Sequence, residues 1–304
     1  MRYLKLYTII FLAFGFIQTV EAQNSVTPEW QKAIYNTAED FKGLWGMAYY
    51  NFKTGEAFEV DGDTRFPTAS TIKFPVLISW MYEYSEGKVD FDDTIILTDE
   101  DKVGGSGTLQ DTTGEVEVSL KEAIDLMMRI SDNTATNIVI DSQGTTFDER
   151  LLTINNRIKS LGANKTELMN RLMGFSTKKK TPDSLRYGVG YTTPNDMVKL
   201  LKLVYEGKIV NRDISDRIIE IMKKCKSTRM IPKYLPEGTV VSHKSGAVDD
   251  SKSDVGIVFS LGGDYTVAFY TDKLVDKRWS KDNEGHLLIA NISKIIYDHV
   301  NGVE

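Results

Sequence analysis

Apolar positions along the chain change their period twice. From Glu29 to Phe41 they recur at Trp30, Ala33, Ile34, Thr37 and Phe41, which predicts an opening helix. Leu44 to Asn51 is a run of aromatic and aliphatic residues. Phe52-Lys53-Thr54-Gly55 reads as a turn and Glu56 to Val60 alternates, so the two runs predict a β-hairpin. Helical spacing takes over from Ser70 to about Val89 and returns over Thr146–Leu161, Pro194–Tyr205 and Ser215–Lys224. The sharpest amphipathic stretch is Leu120 to Asn133, where Leu120, Ala123, Ile124, Met127 and Met128 share one face. Strand patterns come back at Gly238–Lys244, Asp254–Leu261 and Tyr265–Tyr270, with Gly262-Gly263-Asp264 as a hairpin turn. Gly285 to Val300 closes the chain as a helix.

This order predicts an α/β (α+β) fold. One antiparallel sheet is built from both chain ends and flanked by helices, and an all-helical lobe is inserted between its halves. The expected division is an α/β lobe of about residues 23–68 and 208–304 and a helical lobe of about 69–207, within a single catalytic domain over 23–304. A cleft between the lobes is the natural place for a site.

The first residues have a different character. Arg2 and Lys5 precede an apolar run from Leu6 to Ile17, and Val20-Glu21-Ala22 offers a cleavage site after Ala22. Residues 1–22 therefore read as a secretory signal, and an uncleaved N-terminal anchor is the alternative. The mature protein is expected to be exported, periplasmic or secreted, with no stable membrane partner. Its net charge is −7, from 35 basic and 42 acidic residues. That acidic balance lacks the footprint of a nucleic-acid binder. Lys178-Lys179-Lys180 is the compact basic run, and its Ser, Thr and Pro neighbours make it a solvated loop. Cys225 is the sole cysteine, so no intramolecular disulfide can form. It lies between Lys224 and Lys226, and the sequence offers it no partner base. Three histidines and one cysteine at scattered positions support neither a metal site nor a cofactor. A monomer is expected.

Three short motifs carry candidate chemistry. In Ser70-Thr71-Ile72-Lys73, helical spacing puts the lysine on the face of the serine, where an amine of lowered pKa can take the hydroxyl proton. A helix N-terminus also offers free N–H groups to a developing oxyanion. In Ser131-Asp132-Asn133, Ser131 is a candidate proton shuttle and Asn133 a candidate amide ligand, while Asp132 is expected to hold the turn at the end of the Leu120 helix. In Lys244-Ser245-Gly246-Ala247, Lys244 and Ser245 can bind a substrate carboxylate. Gly246 allows close approach, and the Ala247 N–H is a second oxyanion donor. By alternation, His243 points away from this cleft.

In this order and at these separations, the motifs resemble the class A β-lactamases and their penicillin-recognising relatives. The resemblance runs from about Asn24 to the C-terminus. It extends to Phe66-Pro67-Thr68-Ala69 before the serine, Ser106-Gly107-Thr108-Leu109-Gln110, Thr192-Thr193-Pro194 and Ser253-Asp254-Val255-Gly256. It implies a β-lactamase/transpeptidase-like fold and a Ser70 acyl-enzyme, with a small-molecule β-lactam or an acyl-D-Ala-D-Ala-like substrate.

The resemblance breaks in the omega loop. The family carries a deacylating glutamate there, four residues before an asparagine, whereas Glu167 and Asn170 are three apart. One alignment gives the role to Glu167. Another, anchored on Thr166 and Leu168, puts Leu172 in the glutamate's place, and it is the alignment favoured here. Asp183 is a further carboxylate in the loop. The leading expectation is β-lactam hydrolysis through Ser70. The alternative is a D-alanyl-D-alanine peptidase-like or slowly deacylating penicillin-binding enzyme. A non-catalytic β-lactam sensor would need a membrane tether and a signalling domain, and neither is read in the sequence.

Overall fold

The computed structural model describes residues 27–173 and 180–303; the leader, Lys178 and Lys179 lie outside the described residues. The chain opens with α1 (Glu29–Ala38), β1 (Leu44–Asn51) and β2 (Ala57–Val60), followed by the two-residue β3 (Phe66–Pro67). A single 3₁₀ turn, Ala69–Ile72, leads directly into α2 (Lys73–Ser85). Then come β4 (Thr94–Leu97), β5 (Val116–Ser119), α3 (Leu120–Arg129), α4 (Asn133–Asp141) and α5 (Phe147–Ser160). The omega-loop region holds β6 (Glu167–Leu168), α6 (Pro182–Tyr187) and β7 (Gly190–Thr192), and leads to α7 (Pro194–Tyr205) and α8 (Arg212–Met222). The chain ends with β8 (Val240–Val248), β9 (Ser251–Phe259), β10 (Tyr265–Asp272) and α9 (Glu284–Asn301).

The main sheet is antiparallel in the order β2-β1-β10-β9-β8, so both chain ends build it as the alternation predicts. Its central strands are largely buried on both faces, although β9 opens with four buried polar residues, Ser251 to Asp254. On β10, Tyr265, Val267 and Phe269 pack with Ile34 of α1 and Leu288, Ile289, Ile292 and Ile296 of α9. Ala268 and Tyr270 turn to the other face, onto the core of α2, α3, α4, α5, α7 and α8. The sheet thus divides two apolar cores, and β8, its edge strand, faces the inserted segment. That segment is mostly helical and also carries the β4–β5 ribbon and the small β3-β7-β6 sheet. Among the described residues no helix is long and apolar enough to cross a membrane.

One predicted element is corrected. The Leu120 helix does not run through to Asn133 but stops at Arg129, and a separate helix starts at Asn133. Ser131 takes φ +62° between them. The cause is Asp132, whose carboxylate caps α4 by accepting from Ala135 N (2.8 Å). It also accepts from Thr108 N and Leu109 N, at 2.7 and 2.9 Å. Three backbone donors satisfied by one buried carboxylate hold the turn against the helical pattern around it.

Candidate active site

The nucleophile turn is clamped before any side chain acts. Thr68 N and Oγ1 both donate to Gly190 O, at 3.0 and 3.1 Å. Thr71 Oγ1 donates to Thr68 O at 2.7 Å and shares a hydrogen bond of 2.9 Å with Tyr270 OH. Ala69 is forced to φ +43°, a left-handed conformation that costs an L residue about 1–2 kcal/mol. The edge strand β8 lies directly against this turn. A methyl group on Gly246 would stand 2.9 Å from both Ser70 N and Thr68 O, so only glycine permits the approach.

Lys73 starts α2 and is fully buried. The Ser-x-x-Lys spacing suggests an amine beside the Ser70 hydroxyl, but its hydrogen bonds go elsewhere. Lys73 Nζ donates to Ser131 O (2.6 Å), Ser131 Oγ (3.0 Å) and Asn133 Oδ1 (3.0 Å). Lys244 Nζ, from β8, donates to the same Ser131 Oγ (3.1 Å) and to Ser245 O (2.7 Å). The Ser131 hydroxyl therefore sits between two buried amines. Burial lowers the Lys73 pKa well below the ordinary lysine value, and the Lys244 charge lowers it further, against a smaller opposing effect of Asp132. Burial also lowers Lys244, opposed by Cys225 and Asp254. Such amines reach the neutral, proton-accepting form closer to neutrality. Asn133 completes the group, its Nδ2 donating to Gly104 O at 3.1 Å. Ser245 is half-buried on β8, and Ala247 pairs with Lys252 of β9.

The omega-loop candidates separate. Glu167 is turned away from this cluster, accepting from Tyr191 OH at 2.9 Å and facing Lys159 Nζ at 3.7 Å. Asp183 pairs with Arg65 at 3.7 Å. Leu172 is gripped from both sides by one amide. Its N donates to Asn137 Oδ1 (2.9 Å) and its O accepts from Asn137 Nδ2 (3.0 Å). Asn137 lies one helical turn after Asn133 on α4, so the clamp stands on the face that carries Lys73's partner. Among the described residues no group of histidine, cysteine and carboxylate side chains is arranged to hold a metal ion.

A second cluster lay beyond sequence reasoning. His243 Nδ1 meets Asp254 Oδ1 at 2.8 Å, with both residues buried. The histidine also acts electrostatically on the partly exposed Cys225, eighteen residues earlier. Burial raises the thiol pKa, but the influence of His243 outweighs it and brings the value down to about 7. Burial opposes protonation of His243, yet the Asp254 and Cys225 charges hold its pKa up at about 10. Cys225 is thus expected to react with a thiol-specific disulfide reagent at a rate rising through pH ~7. His243→Gln should move that midpoint up toward ~8.5, the value of a free cysteine. A wild-type midpoint already near there would refute the coupling, and with one cysteine in the chain the labelling is unambiguous.

A family model described as the β-lactamase enzyme family matches residues 29–300. Beta-lactamase VEB-1 of Pseudomonas aeruginosa is 22% identical, over 98% of this chain and 99% of its own length. The crystal structure of a β-lactamase from Sphaerobacter thermophilus superimposes with a TM-score of 0.78 at 27% identity, covering 90% of this chain and 98% of that one. The structure of PBP-A gives a TM-score of 0.78 at 26% identity, covering 91% and 97%.

Proposed function

The chain belongs to the β-lactamase enzyme family, and on that premise we propose that it opens the β-lactam amide through an ester on Ser70 and releases the product to water. The observation that carries this reading is the Ser131 hydroxyl held between Lys73 and Lys244, beside a nucleophile turn pressed against β8. Ser70 Oγ attacks the lactam carbonyl carbon while neutral Lys73 takes its proton. The backbone N–H groups of Ser70 and Ala247 receive the oxyanion. The C–N bond then breaks, and Ser131 passes a proton to the leaving nitrogen and is reprotonated from Lys73. Lys244 and Ser245 hold the substrate carboxylate, and Asn133 the acylamino group. Water then cleaves the ester. Among the described residues, the omega-loop carboxylates Glu167 and Asp183 are engaged by Tyr191 and Arg65, so deacylation is the slow step. Export through residues 1–22 would place the enzyme where β-lactams first arrive.

An intact-mass time course with benzylpenicillin tests the reading. One added equivalent should appear on the wild type and decay as hydrolysed penicillin accumulates, and Ser70→Ala should stay unmodified. No adduct, or an adduct that persists in Ser70→Ala, would reject it.

A further inference from the structure

Met173 is a large apolar side chain that remains 45% exposed, and its backbone adopts φ +54°. Left-handed backbone is unfavourable for any residue with a β-carbon, and core burial does not explain its retention here. The residue directly follows Leu172, whose two backbone groups are fixed by Asn137, so the direction in which Met173 leaves the loop is set. Opposite it runs Gly104-Gly105. A methyl group built on Gly105 would lie 2.7 Å from Asn133 Nδ2 and 3.9 Å from Met173 Cγ. Gly105 itself has φ +98° and contributes no side chain. The Cγ methylene of Met173 and the amide of Asn133 therefore flank the same point in space, and on this rim the glycines leave the wall to methionine.

We infer that Met173 is a specificity-determining residue: its side chain forms the wall against which the acylamino substituent of the substrate packs, and it selects β-lactams whose substituent is aromatic. This rests on the reading in which Asn133 binds the acylamino group of a substrate attacked by Ser70. Methionine suits the task because it is unbranched and polarizable and makes favourable sulfur contacts with aromatic rings. The strained backbone after the clamped Leu172 brings its Cγ to 3.9 Å from the point a Gly105 methyl would occupy, beside Asn133.

The test compares acylation rate constants for benzylpenicillin, which carries a phenylacetyl group, and 6-aminopenicillanic acid, which carries none. Met173→Ala should lower the benzylpenicillin value roughly 3–10-fold, the worth of a sulfur–aromatic contact, and leave 6-aminopenicillanic acid unchanged. Met173→Leu, which restores the apolar bulk without the sulfur, should recover only part of the loss. Met173→Gly deletes the side chain at a φ that glycine adopts freely, so it should melt like the wild type and show the same selective loss. An equal fall for both substrates in a variant of unchanged melting temperature would overturn the inference, as would an unchanged benzylpenicillin rate. Failure of the wild type to be acylated by either compound would overturn it together with the reading beneath it.

Discussion

Exchanging Lys73 for methionine is expected to lower the acylation rate of Ser70 by ~10²–10⁴-fold, the usual worth of a positioned base, while making the fold more stable. The two effects share one cause. The Lys73 amine is fully buried, the charge that acts on it most is another ammonium, Lys244, and its contacts are a carbonyl, a hydroxyl and a side-chain amide. That environment disfavours the charged form, which prepares the base for proton transfer and strains the folded state. Methionine fills similar volume without a charge, and a gain of ~0.5–2 kcal/mol is the scale such exchanges give. The pH dependence identifies the source. The folded pKa is depressed below the unfolded value of about 10.4, so between the two the unfolded chain binds more protons and wild-type stability rises with pH. The advantage of Lys73→Met should therefore be largest below the depressed folded value and shrink as pH climbs toward 10. Denaturant melts at several pH values, run beside benzylpenicillin labelling, check both halves. A variant less stable at every pH would show that Lys73 supports the fold by its contacts rather than burdening it by its charge.

The sequence made the sheet and most helices legible because their signals are local. The apolar run of β1, the alternation of β2 and the Gly262-Gly263-Asp264 turn need no distant partner. The starts of α5 and α7 are written in their own caps, Thr146 with Glu149 and Thr193 before Pro194. Asp132 was legible as the residue that holds the turn, but the helix was carried on to Asn133, because the donors that fix the earlier stop, Thr108 and Leu109, are more than twenty residues away. The strands β3, β6 and β7 are too short to show a period. The site divides in the same way. Motif residues were readable because their chemistry and order are specific, yet the partners of Lys73 depended on how the α3–α4 turn meets α2. The Cys225–His243–Asp254 cluster joins β8, β9 and the segment after α8, so its members could be singled out in the sequence but not brought together. The choice between Glu167 and Leu172 rested on loop geometry, and the bond from Tyr191 to Glu167 removes the first from the cluster.

Leu172→Glu is expected to shorten the lifetime of the penicilloyl ester by ~10²–10⁴-fold. Residues 174–179 contain no acid, Asp183 faces Arg65, and Asp132 is occupied by three backbone N–H groups. Nothing else in the loop supplies the base that the second half-reaction lacks. Position 172 is already built to present one, since the bidentate hold of Asn137 fixes its backbone, one turn along α4 from the residue that binds Lys73. The leucine side chain is 7% exposed, so a glutamate there loses hydration, and a stability cost of about 1–3 kcal/mol should accompany the gain. A carboxylate close to Lys73 also favours its ammonium form, so acylation should change less than deacylation and steady turnover should rise. Burst and steady-state phases with a chromogenic cephalosporin separate the two steps. Glu167→Gln is the matched control: its carboxylate serves Tyr191, so the ester lifetime should not move. If Leu172→Glu folds and leaves the lifetime unchanged, the Asn137 clamp does not aim position 172 at the ester. If Glu167→Gln lengthens the lifetime instead, water is activated from the β6 side of the loop.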